Sequence, residues 1–228
     1  GRLPGFVDAA RLLNIRGCSI TIPHKVDIIP LLDETSAGVK EMGACNTIYR
    51  DGEKLCGENT DVIGFMAPLQ KRSLPPDTRA LVLGAGGVSR AAIAGLRRLG
   101  LTNITLTNRR KERAEALCNE FGLLCAPWEE RGDVPADLII NTTSLGMTGA
   151  QEHETPYPSP FQGSGIAYDL IYTPFQTRFL LDAAAAGWET IPGLDMFIGQ
   201  GDAQFHLWTG HHLPKEAVTA VASVLYGQ

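Results

Sequence analysis

The sequence has no long apolar run, no excess of positive charge and no paired cysteine motif, and each absence argues against a class of protein. No stretch approaches the roughly 18–20 apolar residues that a membrane-spanning helix needs. With 20 Lys and Arg against 25 Asp and Glu, the formal net charge is −5. This balance argues against a general nucleic-acid-binding surface. We therefore predict a small-molecule function with neither membrane nor nucleic-acid partners.

Cysteine occurs in an odd number and without a Cys-x-x-Cys pair. The five cysteines are Cys18, Cys45, Cys56, Cys118 and Cys125. This pattern disfavours a disulfide scaffold or a zinc ribbon and favours small, buried side chains in a reducing, cytoplasmic compartment. Because no group of His, Cys and Asp has ligand spacing, we also predict that no metal is required.

Glycine, by contrast, is abundant: 25 of 228 residues exceeds the usual ~7%. A polar, Pro-rich segment at 73–77 separates a mixed first part of the chain from regular strand–helix alternation. Repeated strand–helix units imply a parallel sheet with right-handed crossovers. We predict an α/β protein with a small α/β domain (1–70), a parallel-sheet domain (71–195) and two terminal helices (196–228).

The apolar periodicity and the turn residues locate the individual elements. The predicted strands are 18–22, 44–49, 54–57, 80–83, 103–107, 136–141, 166–171 and 190–192. The predicted helices are 6–13, 26–32, 62–70, 89–99, 111–121, 177–186, 195–208 and 215–226. Asp51-Gly52 predicts a hairpin turn, and Asn59, Thr60 and Asp61 offer a choice of N-caps for the helix that follows.

A glycine-rich loop follows the buried strand 80–83 and opens a helix, the context in which such a loop binds a pyrophosphate. Gly84 permits a tight turn, Gly86 permits close backbone approach, and Ser89 is small enough for helix–strand packing. A plain turn is the alternative interpretation, and Arg90 is a candidate counter-charge. The candidate cofactor residues of the loop are Gly84, Ala85, Gly86, Gly87, Val88 and Ser89.

The end of strand 103–107 distinguishes the two nicotinamide cofactors. An NAD site has a carboxylate there to bind the ribose 2′-hydroxyl, whereas this chain has Asn108 and Arg109, with Arg113 close behind. Guanidinium groups bind a 2′-phosphate bidentately, and a contact of ~1.5–3 kcal/mol gives roughly a 10–100-fold preference for NADP. The alternative is a solvated basic stretch, which a helix N-terminus disfavours.

The segment 21–25 contains a candidate proton donor. Lys25 follows a strand that is predicted to end near Pro23, and ligands bind at the carboxyl ends of strands in open α/β sheets. Lys25 can then give a proton to a carbonyl group as hydride arrives. Asn46 and Asp61 begin or end elements of the same small domain and are predicted to converge on one cleft. A surface lysine and a simple N-cap at Asp61 are the alternative interpretations.

Taken in order, these motifs and several others resemble the shikimate dehydrogenase family over nearly the whole chain. The resemblance rests on segments 19–25, 43–47, 57–61, 84–90, 108–109, 141–147, 168–172 and 199–200. It implies a substrate domain and a Rossmann-like NADP domain flanking a cleft, with the terminal helices packing on the substrate domain. It also implies NADPH-dependent reduction of 3-dehydroshikimate to shikimate, in aromatic amino-acid biosynthesis.

The resemblance assigns a role to particular positions of this sequence. The catalytic pair falls on Lys25 and Asp61. The implied substrate contacts are Thr21, Asn46, Thr60, Tyr172 and Gln200. The implied cofactor contacts outside the glycine-rich loop are Asn108, Arg109, Arg113, Thr142, Leu170 and Gly193.

The sequence departs from the family pattern at three places. Val62 and Arg110 stand where the family usually has Gly and Thr. The family also begins with a strand that carries a Ser-x-Ser pattern, and no such pattern precedes Gly1, which suggests a piece of a longer polypeptide, such as a fusion to a dehydroquinase. Two alternatives stay open: a quinate/shikimate dehydrogenase that uses NAD, and a catalytically silent cofactor-binding module. A monomer or a homodimer is expected. The stretch 149–162 is interpreted as a loop near the cofactor.

Overall fold

The computed structural model describes residues 2–21, 23–158 and 160–226. The helices are α1 (Leu3–Leu12), α2 (Ala37–Met42), α3 (Thr60–Leu69), α4 (Gly87–Arg98), α5 (Lys111–Phe121), α6 (Arg178–Ala185), α7 (Gly193–Thr209) and α8 (Lys215–Tyr226). The strands are β1 (Gly17–Ser19), β2 (Glu34–Thr35), β3 (Thr47–Asp51), β4 (Lys54–Glu58), β5 (Ala80–Leu83), β6 (Ile104–Thr107), β7 (Leu124–Cys125), β8 (Leu138–Asn141), β9 (Ile166–Asp169) and β10 (Glu189–Ile191).

The first part of the chain forms a four-stranded sheet in the order β1-β3-β4-β2. Strands β3 and β4 pair antiparallel, with Asp51 opposite Lys54. The predicted hairpin is confirmed, because Gly52 in its turn has a φ of +56°, a conformation that glycine adopts without strain. Val7, Ile28 and Ile48 belong to the apolar core on this sheet.

The second sheet has six parallel strands in the order β10-β9-β8-β5-β6-β7. Successive residues of β5 pack into different clusters: Val82 lies in one core, while Leu81 and Leu83 lie in another. Both faces of the sheet are thus covered, as expected for a parallel sheet with an all-apolar central strand. The predicted α/β class is confirmed, and the carboxyl ends of β5, β6 and β8 lie side by side.

Helix α7 connects the second sheet to the first. It begins directly after β10 and packs against α3 so closely that a Cβ at Gly64 would lie 2.7 Å from the backbone nitrogen of Gln200. Further along the helix, the indole Nε1 of Trp208 donates a hydrogen bond to the Ile48 carbonyl of β3, at 2.9 Å. The helix therefore returns to the first sheet, although the exact domain boundaries stay a prediction.

Several predicted elements differ from the observed ones. Strand 18–22 is shorter, since β1 ends at Ser19, and Ile22 lies outside the described residues. The predicted helix 26–32 is wrong: this segment forms turns and a single 3₁₀ turn at Ile29–Leu31. Pro30 lies in its middle and has no N–H to donate to a continuous α-helix. Strands β2 and β7 and helix α2, which the periodicity did not predict, are short.

None of the helices in the described part of the chain has both the length and the apolar character that a membrane span requires.

Candidate functional site

The side chains of Lys25 and Asp61 meet in a half-buried ion pair. Lys25 Nζ donates a hydrogen bond to Asp61 Oδ2 at 2.8 Å, and the two side chains are 30% and 23% exposed. Such partial exposure leaves the ammonium group accessible to a ligand while the carboxylate fixes its position. The structure thus brings together Lys25 and Asp61, the two residues on which the resemblance places the catalytic pair.

Separate local structures position the members of the pair. Lys25 lies in the turns after β1, and its carbonyl accepts a 2.7 Å hydrogen bond from the Cys45 amide. Asp61 lies in the first turn of α3. The N-cap of this helix is Asn59, whose Oδ1 accepts from the Asp61 amide at 3.1 Å. The interpretation of Asp61 as a simple N-cap is therefore wrong, and its carboxylate is free to face Lys25.

The amide of Asn46 joins the pair to the start of α3. Its Nδ2 donates to Asp61 Oδ1 at 2.8 Å and to Thr60 Oγ1 at 3.0 Å. Its Oδ1 accepts from the Thr60 backbone amide at 2.8 Å. Asn46 is only 3% exposed and Thr60 is fully buried. Of the predicted substrate residues, these two thus contact the ion pair directly or through one hydrogen bond.

The other three predicted substrate residues lie at separate places. The Thr21 carbonyl accepts a 2.8 Å hydrogen bond from the His24 amide, at the start of the turn that leads to Lys25. Gln200 lies on α7 against α3, and its Nε2 donates to the Phe197 carbonyl at 3.1 Å. The ring of Tyr172 stacks on Phe197 with 4.7 Å between centroids. Among the described residues, none of these three side chains hydrogen-bonds to the ion pair.

A second site lies at the carboxyl ends of β5, β6 and β8, where a cavity of about 250 Å³ opens. Its predicted members are Gly84, Ala85, Gly86, Asn108, Arg109, Arg113 and Thr142. It also contains residues that were not predicted as cofactor contacts: Trp128, Thr143, Ser144, Leu145 and Gln151, together with Arg110. Gln151 belongs to the stretch 149–162, which was interpreted as a loop near the cofactor. Three arginines line it, and no Asp or Glu belongs to its lining in the described ranges.

The backbone around the glycine-rich loop is shaped for close approach. Gly84 has a φ of +113°, and a Cβ there would lie 2.6 Å from Thr142 Oγ1, so glycine is needed. The Ala85 amide donates to Asn108 Oδ1 at 3.3 Å, which connects the loop to the end of β6. Ser89 accepts from the Gly86 amide at 3.0 Å and lies 2.6 Å from Thr142 Oγ1. Ser89 thus supports the loop from inside the protein.

Five of the predicted cofactor residues do not line this cavity. One is Ser89, and the other four are Gly87, Val88, Leu170 and Gly193. Gly87 and Val88 form the first turn of α4. Gly193 begins α7, and a Cβ there would lie 2.7 Å from the Leu170 backbone carbon. Leu170 and Gly193 are therefore neighbours at the carboxyl end of β9, beside the cavity rather than in its lining.

Arg90, the candidate counter-charge, is paired within the protein instead. Its guanidinium forms an ion pair with Glu120 of α5 and lies over the Phe121 ring, 5.5 Å from the centroid. The hydrogen bond to Glu120 raises the pKa of Arg90, although partial burial opposes this shift. The side chain that joins α4 to α5 is thus engaged elsewhere.

A buried carboxylate holds the loop after β8. Asp169 is fully buried and accepts hydrogen bonds from Thr177 Oγ1 at 2.6 Å and from Asn141 Nδ2 at 3.0 Å. Asn141 Oδ1 in turn accepts from the Thr143 amide at 2.9 Å. Burial raises the pKa of Asp169 to about 6, although these donors oppose the shift. Asp169 fixes the turn that places Thr142 and Thr143 at the cavity.

Gln204 and Thr47 are two polar residues near the ion pair to which the sequence assigned no role. Gln204, on α7, donates from Nε2 to Thr47 Oγ1 at 3.0 Å, across 157 residues of sequence. The sequence feature that could have identified Gln204 is its spacing of four residues from Gln200, which places both side chains on one face of a helix.

Comparison with known proteins yields three family models that match this chain. The model for the shikimate dehydrogenase substrate binding domain matches residues 1–48. The model for shikimate / quinate 5-dehydrogenase matches residues 69–143. The model for the shikimate 5'-dehydrogenase C-terminal domain matches residues 193–222.

Individual relatives extend the similarity to nearly the whole chain. A Pelobacter propionicus protein named shikimate dehydrogenase (NADP(+)) is 55% identical, over 98% of this chain and 82% of its own length. An Oleidesulfovibrio alaskensis protein of the same name is 48% identical, over 98% and 81%. A crystal structure of shikimate 5-dehydrogenase from Thermus thermophilus in complex with NADP(H) and shikimate has a TM-score of 0.85 at 37% identity, covering 98% of this chain and 84% of that chain.

Proposed function

The chain belongs to the shikimate dehydrogenase family, and we propose that Lys25 and Asp61 are the acid–base pair of its reaction. That reaction is the reversible, NADPH-dependent reduction of 3-dehydroshikimate to shikimate in the shikimate pathway. The observation that carries the proposal is the 2.8 Å contact between Lys25 Nζ and Asp61 Oδ2, in a half-buried position.

Lys25 acts as the proton donor in this proposal. Its Nζ gives a proton to the carbonyl oxygen of the substrate, and the amine regains a proton from solvent through its exposed side. Asp61 keeps the ammonium group in place, and its second oxygen is held by Asn46 at 2.8 Å. In the reverse direction the Lys25 amine accepts the proton of the substrate hydroxyl.

The substrate is a cyclic polyol that carries a carboxylate, so it needs several hydrogen-bonding partners around Lys25. We assign this role to Thr21, Asn46, Thr60, Tyr172 and Gln200. Proximity supports Asn46 and Thr60, which share hydrogen bonds with the ion pair. For Thr21 the support is its place in the turn that leads to Lys25, and for Gln200 it is the close packing of α7 on α3.

The cavity at the carboxyl ends of β5, β6 and β8 has a lining that suits NADP(H). When bound, the cofactor supplies the hydride for the reduction. The space left by the absent Cβ of Gly84 and the backbone amides at the start of α4 suit a pyrophosphate. Asn108, Arg109 and Arg113 suit the ribose and its 2′-phosphate, because the lining provides guanidinium groups and, among the described residues, no carboxylate. We place Thr142, Leu170 and Gly193 near the nicotinamide half, with Ser89 supporting the loop.

A panel of substrates and cofactors tests this proposal. The purified chain is assayed with NADPH or NADH and with 3-dehydroshikimate or 3-dehydroquinate, and nucleotide oxidation is followed by absorbance. We expect the highest kcat/KM for NADPH with 3-dehydroshikimate. Equal use of NADH, or preference for the quinate series, would instead support the alternative dehydrogenase. Binding of NADPH without turnover of any substrate would support a silent module.

The assembly and location of the protein are also proposals. We expect a monomer or a homodimer, which light scattering on the purified chain distinguishes. We expect a cytoplasmic protein, which cell fractionation tests. A fusion to a dehydroquinase in the natural polypeptide is tested by the mass of the native product.

A further inference from the structure

A row of hydrogen bonds leads from α7 to the catalytic carboxylate, and every donor in it points the same way. Ser19 Oγ donates to Gln204 Oε1 at 2.7 Å, and Gln204 Nε2 donates to Thr47 Oγ1 at 3.0 Å. Thr47 Oγ1 then donates to Asn46 Oδ1 at 2.8 Å, and Asn46 Nδ2 donates to Asp61 Oδ1 at 2.8 Å. The row ends where Asp61 holds Lys25.

At Asn46 the direction of the row is fixed by groups that can act in only one sense. An ionised carboxylate is an acceptor only, so Asn46 presents its NH₂ group to Asp61. The backbone amide of Thr60 is a donor only, and it lies 2.8 Å from Asn46 Oδ1. The Gln204 NH₂ group faces Thr47 Oγ1 and only donates, so it leaves the Thr47 hydroxyl hydrogen for another acceptor. Asn46 Oδ1 at 2.8 Å is a shorter contact for that hydrogen than Thr60 Oγ1 at 3.3 Å.

The middle of the row is shielded from water, which gives each bond a large effect. Asn46, Thr47 and Gln204 are 3%, 0% and 7% exposed, respectively. Hydrogen bonds in such surroundings strengthen one another, and a missing partner is costly because no water replaces it. A defect at Gln204 is thus transmitted to the carboxylate instead of being absorbed by solvent.

We infer that Gln204 and Thr47 are positioning residues, which hold the Asn46 amide so that Asp61 keeps Lys25 in its proton-donating position. This inference rests on the proposed roles of Lys25 and Asp61. It gives α7 a second task besides presenting Gln200: the same helix that returns from the second sheet also sets the geometry of the acid–base pair.

Two substitutions at Thr47 separate positioning from packing. Thr47→Val keeps the shape and removes the hydroxyl, whereas Thr47→Ser keeps the hydroxyl and removes a methyl group. The row predicts a kcat about 10-fold lower for Thr47→Val, with Thr47→Ser restored to within roughly two-fold of the unmodified enzyme. A residue that only fills space in the core predicts the opposite order, with Thr47→Val the more active of the two.

A substitution on α7 tests the direction of the row. Gln204→Glu is close in shape but replaces the donating NH₂ group by an acceptor. The Thr47 hydroxyl then turns toward α7 and leaves Asn46 Oδ1, so kcat is expected to fall by about 10-fold as well. The matched control is Trp208→Phe, which removes another hydrogen bond from α7 to β3 but does not touch the row. That variant should lose stability and keep its kcat.

The measurements are kcat and KM for 3-dehydroshikimate, the Kd for NADPH and the thermal midpoint, for each folded variant. A lower kcat in Thr47→Val and Gln204→Glu, with rescue in Thr47→Ser and unchanged NADPH affinity, supports the inference. Normal kcat in both, or losses that only match the fall in stability of Trp208→Phe, overturns it. If Lys25→Ala also turns over normally, the proposed function fails; if Lys25→Ala is inactive, only the positioning role fails.

Discussion

The two candidate sites of this molecule differ in how their polar side chains are paired. Around Lys25 and Asp61 the polar side chains are paired with one another, so the site forms a closed network. In the cavity at the ends of β5, β6 and β8, Arg109, Arg110 and Arg113 form no ion pair with the described residues. The three guanidinium groups there leave donors available to a ligand, whereas the Ala85 and Gly86 amides are held by Asn108 and Ser89.

This difference indicates two kinds of work. A closed network holds a few atoms in one arrangement, which is what a proton transfer requires. A cavity rich in donors binds a ligand that brings its own negative charge, such as a phosphorylated nucleotide. Substitutions in the first site should therefore lower kcat, and substitutions in the second should weaken cofactor binding.

Removal of the ammonium group is expected to have the largest effect. Lys25→Ala should lower kcat by ~10²–10⁴-fold, as loss of a positioned acid–base group does, while NADPH still binds. Steady-state kinetics and a fluorescence titration of NADPH measure both quantities. The control is Lys40→Ala, at an exposed lysine of α2, which should leave kcat unchanged. Turnover of Lys25→Ala at the normal rate would remove Lys25 from the mechanism.

The hydrogen bonds around Asp169, near the cavity, form a closed network as well. Because of Asp169, the stability of the protein should depend on pH. Because the pKa of Asp169 is raised from 3.8 to about 6, the folded protein binds the proton more tightly than the unfolded chain does. Proton binding by Asp169 therefore adds ~3 kcal/mol to the free energy of unfolding. This contribution is fully present below pH ~4 and is lost as pH rises through about 6.

Asp169→Asn removes the titration and should flatten this part of the curve. Urea denaturation of both proteins between pH ~4 and ~7 gives the free energies of unfolding to compare. If the two curves of stability against pH run parallel, Asp169 is not the responsible group.

The arginines at the end of β6 should determine which nucleotide binds. Arg109→Ala is expected to weaken NADPH binding by roughly 10–100-fold, with NADH binding little changed, because only NADPH has the 2′-phosphate. Lys111→Ala removes the same charge from a side chain that is 81% exposed, and it should have a much smaller effect. Equal losses for NADPH and NADH in Arg109→Ala would contradict a contact with the 2′-phosphate.

The smallest effect concerns the backbone of the glycine-rich loop. Gly84→Ala should destabilise the protein by ~1–3 kcal/mol, because a φ of +113° is unfavourable for alanine and its Cβ would press on Thr142. Gly87→Ala, in the first turn of α4 with open space around it, should be close to neutral. Equal thermal midpoints for the two variants would show that the loop relaxes without cost.

Local patterns predicted the parts of the fold that depend on neighbours in sequence. The helix 111–121 has the predicted limits, and the hairpin turn at Asp51-Gly52 is confirmed. The segment 26–32 was predicted as a helix on its apolar spacing, yet it forms turns around Pro30. Two-residue strands such as β2 are too short to show any periodicity.

The candidate site was predictable only where a motif identified it. Lys25 and Asp61 stand out because a turn and a helix start place charged residues at element ends. Gln204 does not, since its partner Thr47 lies 157 residues away and only the folded chain brings them together. The pairing of Arg90 with Glu120 was missed for the same reason, as it depends on α4 packing beside α5.

The division of work between the two sites is tested most directly by combining substitutions from both. The kcat of Lys25→Ala and the NADPH dissociation constant of Arg109→Ala are measured singly and in the double variant. If the sites act separately, the double variant has the kcat of Lys25→Ala and the NADPH dissociation constant of Arg109→Ala. Each value should agree with that of the single variant to within ~0.5 kcal/mol. A kcat or dissociation constant of the double variant that differs from these values by a factor of about ten, or 1.4 kcal/mol, would contradict the account.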